Sequence, residues 1–216
     1  MATDNVSVVL LGLGGVGKSC ICLKLTQPSQ AIPHEHIITP WTDTFQHRIY
    51  LRKDKSVLLD IDDTAGQEEM RALSEVKLDN KDAVILVLSL SDESIRKCSW
   101  KPRLSPKNSR KSKDKGALPL PIVVACNKCD LSGNDIKISR ETISDKIRLP
   151  ANQIIYTSAK TNHNVQELFK TAAELVLNTG ARGSQNGCVQ GLEKLVVRWL
   201  FERAFFQSPT ARWWFS

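Results

Sequence analysis

The chain has 216 residues, 41% of them hydrophobic and 25% charged, enough for one globular domain with its own core and without disulfide or metal staples. Thirty Lys and Arg against 23 Asp and Glu give +7, a balance that raises nucleic acid or an anionic membrane as partner. No eighteen-residue apolar run, no basic N-terminal leader and no disulfide-framework spacing among the six cysteines are present, which predicts a reducing, cytoplasmic compartment and no transmembrane helix.

Residues 6–11 form a continuous apolar run that ends in glycines, as a strand buried on both faces does. Gly12-Leu-Gly-Gly-Val-Gly17-Lys18-Ser19 follows directly and matches GxxxxGK[ST] in full. Glycines let backbone N–H groups converge on phosphate oxygens, and the helix N-terminus behind them adds partial positive charge. Lys18 is expected to reach the β- and γ-phosphates and the Ser19 hydroxyl to ligate Mg2+. Residues 44–51 and 57–61 read as the two strands of a hairpin. The second leads into Asp60-Ile-Asp-Asp63-Thr64-Ala-Gly66-Gln67. Asp63 is placed to hold Mg2+, Gly66 to donate its N–H to a γ-phosphate, and Gln67 to orient an attacking water.

Residues 83–90 and 120–125 are further buried strands. Asn127-Lys128-Cys129-Asp130 closes the second of them. Its amide and carboxylate suit a guanine edge, because Asp130 accepts from the ring N–H and the exocyclic amine while the Lys128 stem lies along the base. Adenine lacks that donor pair. Residues 153–157 form a short strand, followed by Thr157-Ser158-Ala159-Lys160, where the Ala159 N–H is placed to meet the guanine O6. Residues 165–177 carry apolar positions at helical period. Strands alternating with helices predict an α/β domain with a mainly parallel sheet. Cys126-x-x-Cys129 has the look of a redox or zinc half-site. With no second such pair, small cysteines at a strand end are the favoured reading.

These four motifs, in this order, make the chain resemble a Ras-superfamily small GTPase, most of all the Ras branch with its Di-Ras-type proteins. The resemblance covers residues 5–178 and implies a P-loop fold with a six-stranded, mainly parallel sheet flanked by helices. It implies GDP/GTP and Mg2+ binding, slow GTP hydrolysis and a signalling switch served by effectors, exchange factors and GTPase-activating proteins. By that resemblance Gly12, Gly14, Gly15, Val16, Gly17, Lys18, Ser19, Cys20, Gly66, Asn127, Lys128, Asp130, Ser158, Ala159 and Lys160 bind nucleotide. Lys18, Gln67 and Gly14 serve catalysis, Gly14 by leaving room for a partner's arginine.

Four features depart from the family. Asp43-Thr44-Phe45 aligns Pro40 with the switch threonine that senses Mg2+, and Pro40 has neither hydroxyl nor N–H. Thr39 recovers the contact as a metal ligand if the loop shifts by one residue. Pro40 also motivates the rival reading, a pseudo-GTPase that holds nucleotide and acts as an adaptor. The aromatic that flanks the guanine before switch I is replaced by a stretch holding Ala31, Ile32 and His34. Residues 96–115, within an insertion at about 96–118, hold nine basic residues and one acid, leaving the rest of the chain at 21 basic against 22 acidic. That segment is a mobile, solvated insertion or a contact for an anionic surface, and without an aromatic platform nucleic acid is not expected. The tail, 179–216, holds seven of the thirteen aromatics and ends without a prenylation box. It reads as a helix at the cytoplasmic face of a membrane with Cys188 as an acylation candidate, as a helix docked on the domain, or as a terminus without function.

Overall fold

The computed structural model describes residues 4–32, 43–52, 54–64, 80–92, 120–147 and 149–179. Thr39, Pro40, Gly66, Gln67, the basic segment 96–115 and the tail from residue 180, with Cys188, lie outside the described residues. Six strands, β1 Asp4–Leu11, β2 Asp43–Arg52, β3 Lys55–Asp63, β4 Ala83–Ser89, β5 Ile122–Asn127 and β6 Ile154–Tyr156, make one sheet in the order β2-β3-β1-β4-β5-β6. The β2–β3 hairpin is antiparallel and every other pairing is parallel. This is the sheet the sequence predicts.

The period of two along β1 explains the layering. Val6, Val8 and Leu10 join one core, Val9 and Leu11 the other, so both faces of the strand are buried. The first face packs on helix α1, Lys18–Thr26, through Ile21, Cys22 and Leu25. The last described helix, Val165–Thr179, covers the same face with Leu168, Phe169, Ala172 and Val176. The second face meets Ile138, Ile143 and Ile147 around helix α2, Arg140–Lys146; the helix Val165–Thr179 is α3. Helix α2 is not among the elements predicted from the sequence. Its signal is Ser139, whose hydroxyl accepts from the Thr142 N–H at 3.2 Å as an N-cap.

All six strands differ in their bounds from the predicted runs by one residue or more, and at β5 the shift has a consequence for the site. Strand β5 starts at Ile122, not at residue 120, and runs on to Asn127. Pro121 has no N–H to give a ladder, although its carbonyl accepts from the Val84 N–H at 2.9 Å. The shift makes Asn127 the last residue of a buried strand. Strand β6 is shorter than 153–157 because Ala151–Gln153 winds into a 3-10 turn. Parallel strands bring the C-terminal ends of β1, β3, β4, β5 and β6 to one edge. There β1 has β3 on one side and β4 on the other, the crossover point at which open α/β sheets bind ligands.

Candidate phosphate and base site

The glycine loop between β1 and α1 is shaped by close approach. A Cβ on Gly12 would stand 2.3 Å from the Val87 carbonyl oxygen. Gly17, the N-cap of α1, has φ +99°, and a Cβ there would stand 2.4 Å from Asn127 Nδ2. Helix α1 starts without a side-chain cap and without an acid in its first turn, which suits its N–H groups to an anion. Gly14 and Gly15 are exposed at the loop crest and Val16 is buried beneath it. Lys18 is buried, and its ammonium donates to the carbonyls of Gly12 and, at 3.1 Å, Leu13. Ser19 and Cys20 follow on the first turn, both half-buried.

Asp63, the last residue of β3, is fully buried. Among the described residues neither of its carboxylate oxygens meets a donor in good hydrogen-bond geometry. Burial raises its pKa, against the pull of the Ser19 hydroxyl and the Lys18 charge. A buried, underpartnered carboxylate beside a hydroxyl fits a hard cation that completes its shell with water and phosphate oxygens. No cluster of three or more His, Cys, Asp or Glu that could hold a metal ion occurs among the described residues. Next along the chain, the Thr64 hydroxyl donates to the Leu10 carbonyl at 2.7 Å and pins the end of β3 to the end of β1.

Burial of the Asp63 charge has a measurable consequence. In EDTA, Asp63→Asn is expected to raise the unfolding free energy at neutral pH by about 1–3 kcal/mol. The folded-state pKa lies above the ordinary value of 3.8, so the gain is absent below that value. It grows as pH rises from 3.8 toward the raised folded-state value and levels off above it. A urea midpoint at pH 7 that stays put or falls would contradict this account.

The base-reading motifs are bound into the same unit. The Asn127 amide nitrogen donates to the Val16 carbonyl at 2.8 Å. Its oxygen accepts from the Ala159 N–H at 3.1 Å and from the Thr157 hydroxyl at 3.4 Å. The backbone adds Thr157 N–H to Cys126 O and Cys129 N–H to Thr157 O, both at 3.0 Å. The sequence reading gives the Asn127 amide and the Ala159 N–H to a base. Here both bond within the protein first, and Asn127 joins three loops. Asp130 is exposed, and the Ser158 hydroxyl donates to its Oδ1 at 2.6 Å. Ser158 itself is fully buried and accepts from the Thr161 N–H at 3.1 Å, so it aims the carboxylate. Lys128 sits at φ +63°, and Lys160 is exposed.

Thr157 and Thr64 tie the site together through hydroxyl bonds that the sequence alone does not assign to them. Both lie inside the motifs, but their partners are distant in sequence. The Cys126–Cys129 pair is a packing pair. Burial lifts the Cys126 thiol to about 12 and also raises Cys129, and both pack in the second core.

Comparison with known proteins follows the same lines. A sequence model of the Ras family matches residues 7–178. The chain is 31% identical over 170 residues to Protein ras-1 of Neurospora crassa, covering 77% of this chain and 74% of that protein. It is 33% identical over 180 residues to Ras-like protein 1 of Saccharomyces cerevisiae, covering 81% of this chain but about half, 53%, of that longer relative. It is 31% identical over 166 residues to Ras-like protein of Laccaria bicolor, covering 75% and 73%. With the sheet order, the glycine loop and the tied base-reading loops in place, the chain belongs to the Ras family and is a small GTPase, a GTP hydrolase.

Proposed function

We propose that the chain is a monomeric, Mg2+-dependent switch that hydrolyses GTP slowly and whose residues 33–45 and 63–78 change with the state of the γ-phosphate. The observation that carries this reading is the side chain of Asn127, which holds the Gly12–Ser19 loop and the loop around Ala159 in one unit at the crossover edge of the sheet. In this reading the backbone of 14–19 and Lys18 cradle the phosphates, while Asp130, Lys128 and the 158–160 loop take the base. Ser19 and Asp63, with Thr39, would hold Mg2+, whose charge offsets the negative charge on the β- and γ-phosphates. Gln67 orients the attacking water, and Lys18 with a partner's arginine stabilises the γ-phosphoryl charge as it develops.

The partners that fit are effector, exchange-factor and GTPase-activating proteins on the cytoplasmic side of the cell. An anionic membrane surface is a further partner, met through residues 96–115 or the tail. The adaptor reading rests on Pro40 alone, and no described residue favours it.

Single-turnover hydrolysis of GTP tests the switch. Wild type is expected to turn over slowly in Mg2+, and Gln67→Leu roughly 10- to 100-fold more slowly once an activating protein is added. Equal rates under both conditions would leave the adaptor standing in its place.

A further inference from the structure

Arg140 opens helix α2, and its guanidinium lies over the ring of Tyr156 on β6, 4.4 Å from the ring centre. The chemistry described above uses neither residue. The ring is a fixed platform. Tyr156 pairs with Cys126 in the sheet, its carbonyl accepts from the Asn164 amide at 3.0 Å, and its half-buried side chain packs against the second core. Burial pushes its phenol up to about 12, so the ring stays neutral at working pH while the guanidinium stays charged. Residues 128–139 run from the end of β5 to Arg140 and carry Lys128 and Asp130, the side chains given to the base. This stretch meets β6 and its continuation on two neighbouring residues. Near its start the Cys129 N–H donates to the Thr157 carbonyl at 3.0 Å, and at its far end Arg140 covers Tyr156. On the β4 side the Lys137 N–H donates to the Leu90 carbonyl at 2.8 Å. Cys129, between Lys128 and Asp130, packs against the same core as Tyr156. Burial raises its thiol, and Arg140 is near enough for its charge to pull the other way.

We propose, resting on the reading of Asp130 as the guanine acceptor, that Arg140 and Tyr156 are positioning residues for the base: their stack holds the Cys129–Asp130 backbone against β6, so that the carboxylate meets both the ring N–H and the exocyclic amine of guanine. Oδ1 of Asp130 already accepts from the Ser158 hydroxyl at 2.6 Å, so the plane of the carboxylate is set by that bond and by the backbone behind it. Two donors side by side need that plane to be right, whereas a single donor tolerates a tilt. Without the stack the backbone rocks and one of the two bonds to guanine is lost. Hypoxanthine has the ring N–H but no amine, and it therefore loses less than guanine does. A stack that only fastens α2 to the sheet would lower the melting midpoint and weaken both nucleotides alike.

The experiment is competition of GDP and inosine diphosphate for a fluorescent guanine nucleotide on the full chain, well below the melting midpoint of each variant. Arg140→Met keeps the aliphatic stem without the charge, and Tyr156→Leu removes the ring. Each is expected to lower the GDP/IDP affinity ratio about threefold, chiefly by weakening GDP. Tyr156→Phe keeps the ring face and is expected to hold the wild-type ratio to within about 1.5-fold. Arg140 is exposed, so Arg140→Met tests the stack even if Tyr156→Leu folds poorly. A fall of less than about 1.5-fold in Arg140→Met overturns the positioning role, whatever its melting midpoint. An equal fall in Tyr156→Phe overturns it as well. Wild type that binds GDP and IDP equally overturns the underlying reading of Asp130.

Discussion

Replacing Asn127 by alanine is expected to destabilise the folded protein by about 2–5 kcal/mol and to weaken GDP binding by more than 100-fold. The side chain is 1% exposed and serves three partners, so truncation leaves the Val16 carbonyl and the Ala159 N–H without their bonds in a dry site. Each orphaned group costs about 1–3 kcal/mol, and the space left by the amide is too small and too polar-lined to heal by packing. The binding loss adds to this, because the glycine loop and the 157–160 loop are then no longer fixed to one another. Ligand groups held by two loops that move independently bind as two weak sites. Urea denaturation of the GDP-loaded protein and GDP dissociation together check it. A variant within 0.5 kcal/mol of wild type that holds GDP within threefold would show that the tie is decorative.

That tie marks the boundary of what the sequence makes legible. The strands could be read because burial on both faces writes a nearly unbroken apolar run, as in residues 6–11, interrupted only by Ser7, and in Ala83–Ser89, polar only at its last residue. The glycine loop could be read because its motif is contiguous: Gly17, at φ +99°, stands one residue before Lys18, although the close approaches that demand glycine come from Val87 and Asn127. The bond from Asn127 to Val16 spans 111 positions, and nothing in residue type says whether an amide at a strand end turns to a ligand or to another loop. Burial of Asp63 is of the same kind. The alternation of β3 places it on the inner face, but its missing donors follow from what surrounds it in space. Lys24 is the sharpest case. A lysine in the last turn of a short helix reads as a solvated charge, and only the path of the following turn takes it out of water. Where chemistry depends on one residue's own backbone the sequence is informative. Where it depends on a partner brought in by topology, the sheet order has to be known first.

The second large effect concerns base choice. Asp130→Asn is expected to reverse the preference of the site from guanine toward xanthine nucleotides, moving the GDP/XDP affinity ratio by roughly 10²–10⁴. A carboxylate only accepts, so it matches the ring N–H and amino group of guanine. An amide accepts once and donates once, which matches a ring N–H beside the second carbonyl of xanthine. Ser158 decides how cleanly the change is made. Its hydroxyl donates to Oδ1 at 2.6 Å, and in the variant it would keep the amide oxygen on its own side, presenting the NH2 group in the place of Oδ2. The exposure of Asp130 sets the lower end of the range, since a carboxylate partly reached by water discriminates less than one sealed in a pocket. Competition between GDP and XDP for a fluorescent nucleotide measures the ratio directly. Ser158→Ala supplies the control. It is expected to loosen GDP about tenfold by unfixing the carboxylate, and to leave the preference for guanine in place. An unchanged ratio in Asp130→Asn would mean that the base is read elsewhere. A reversal that survives addition of Ser158→Ala would show that the hydroxyl supports the carboxylate without steering it.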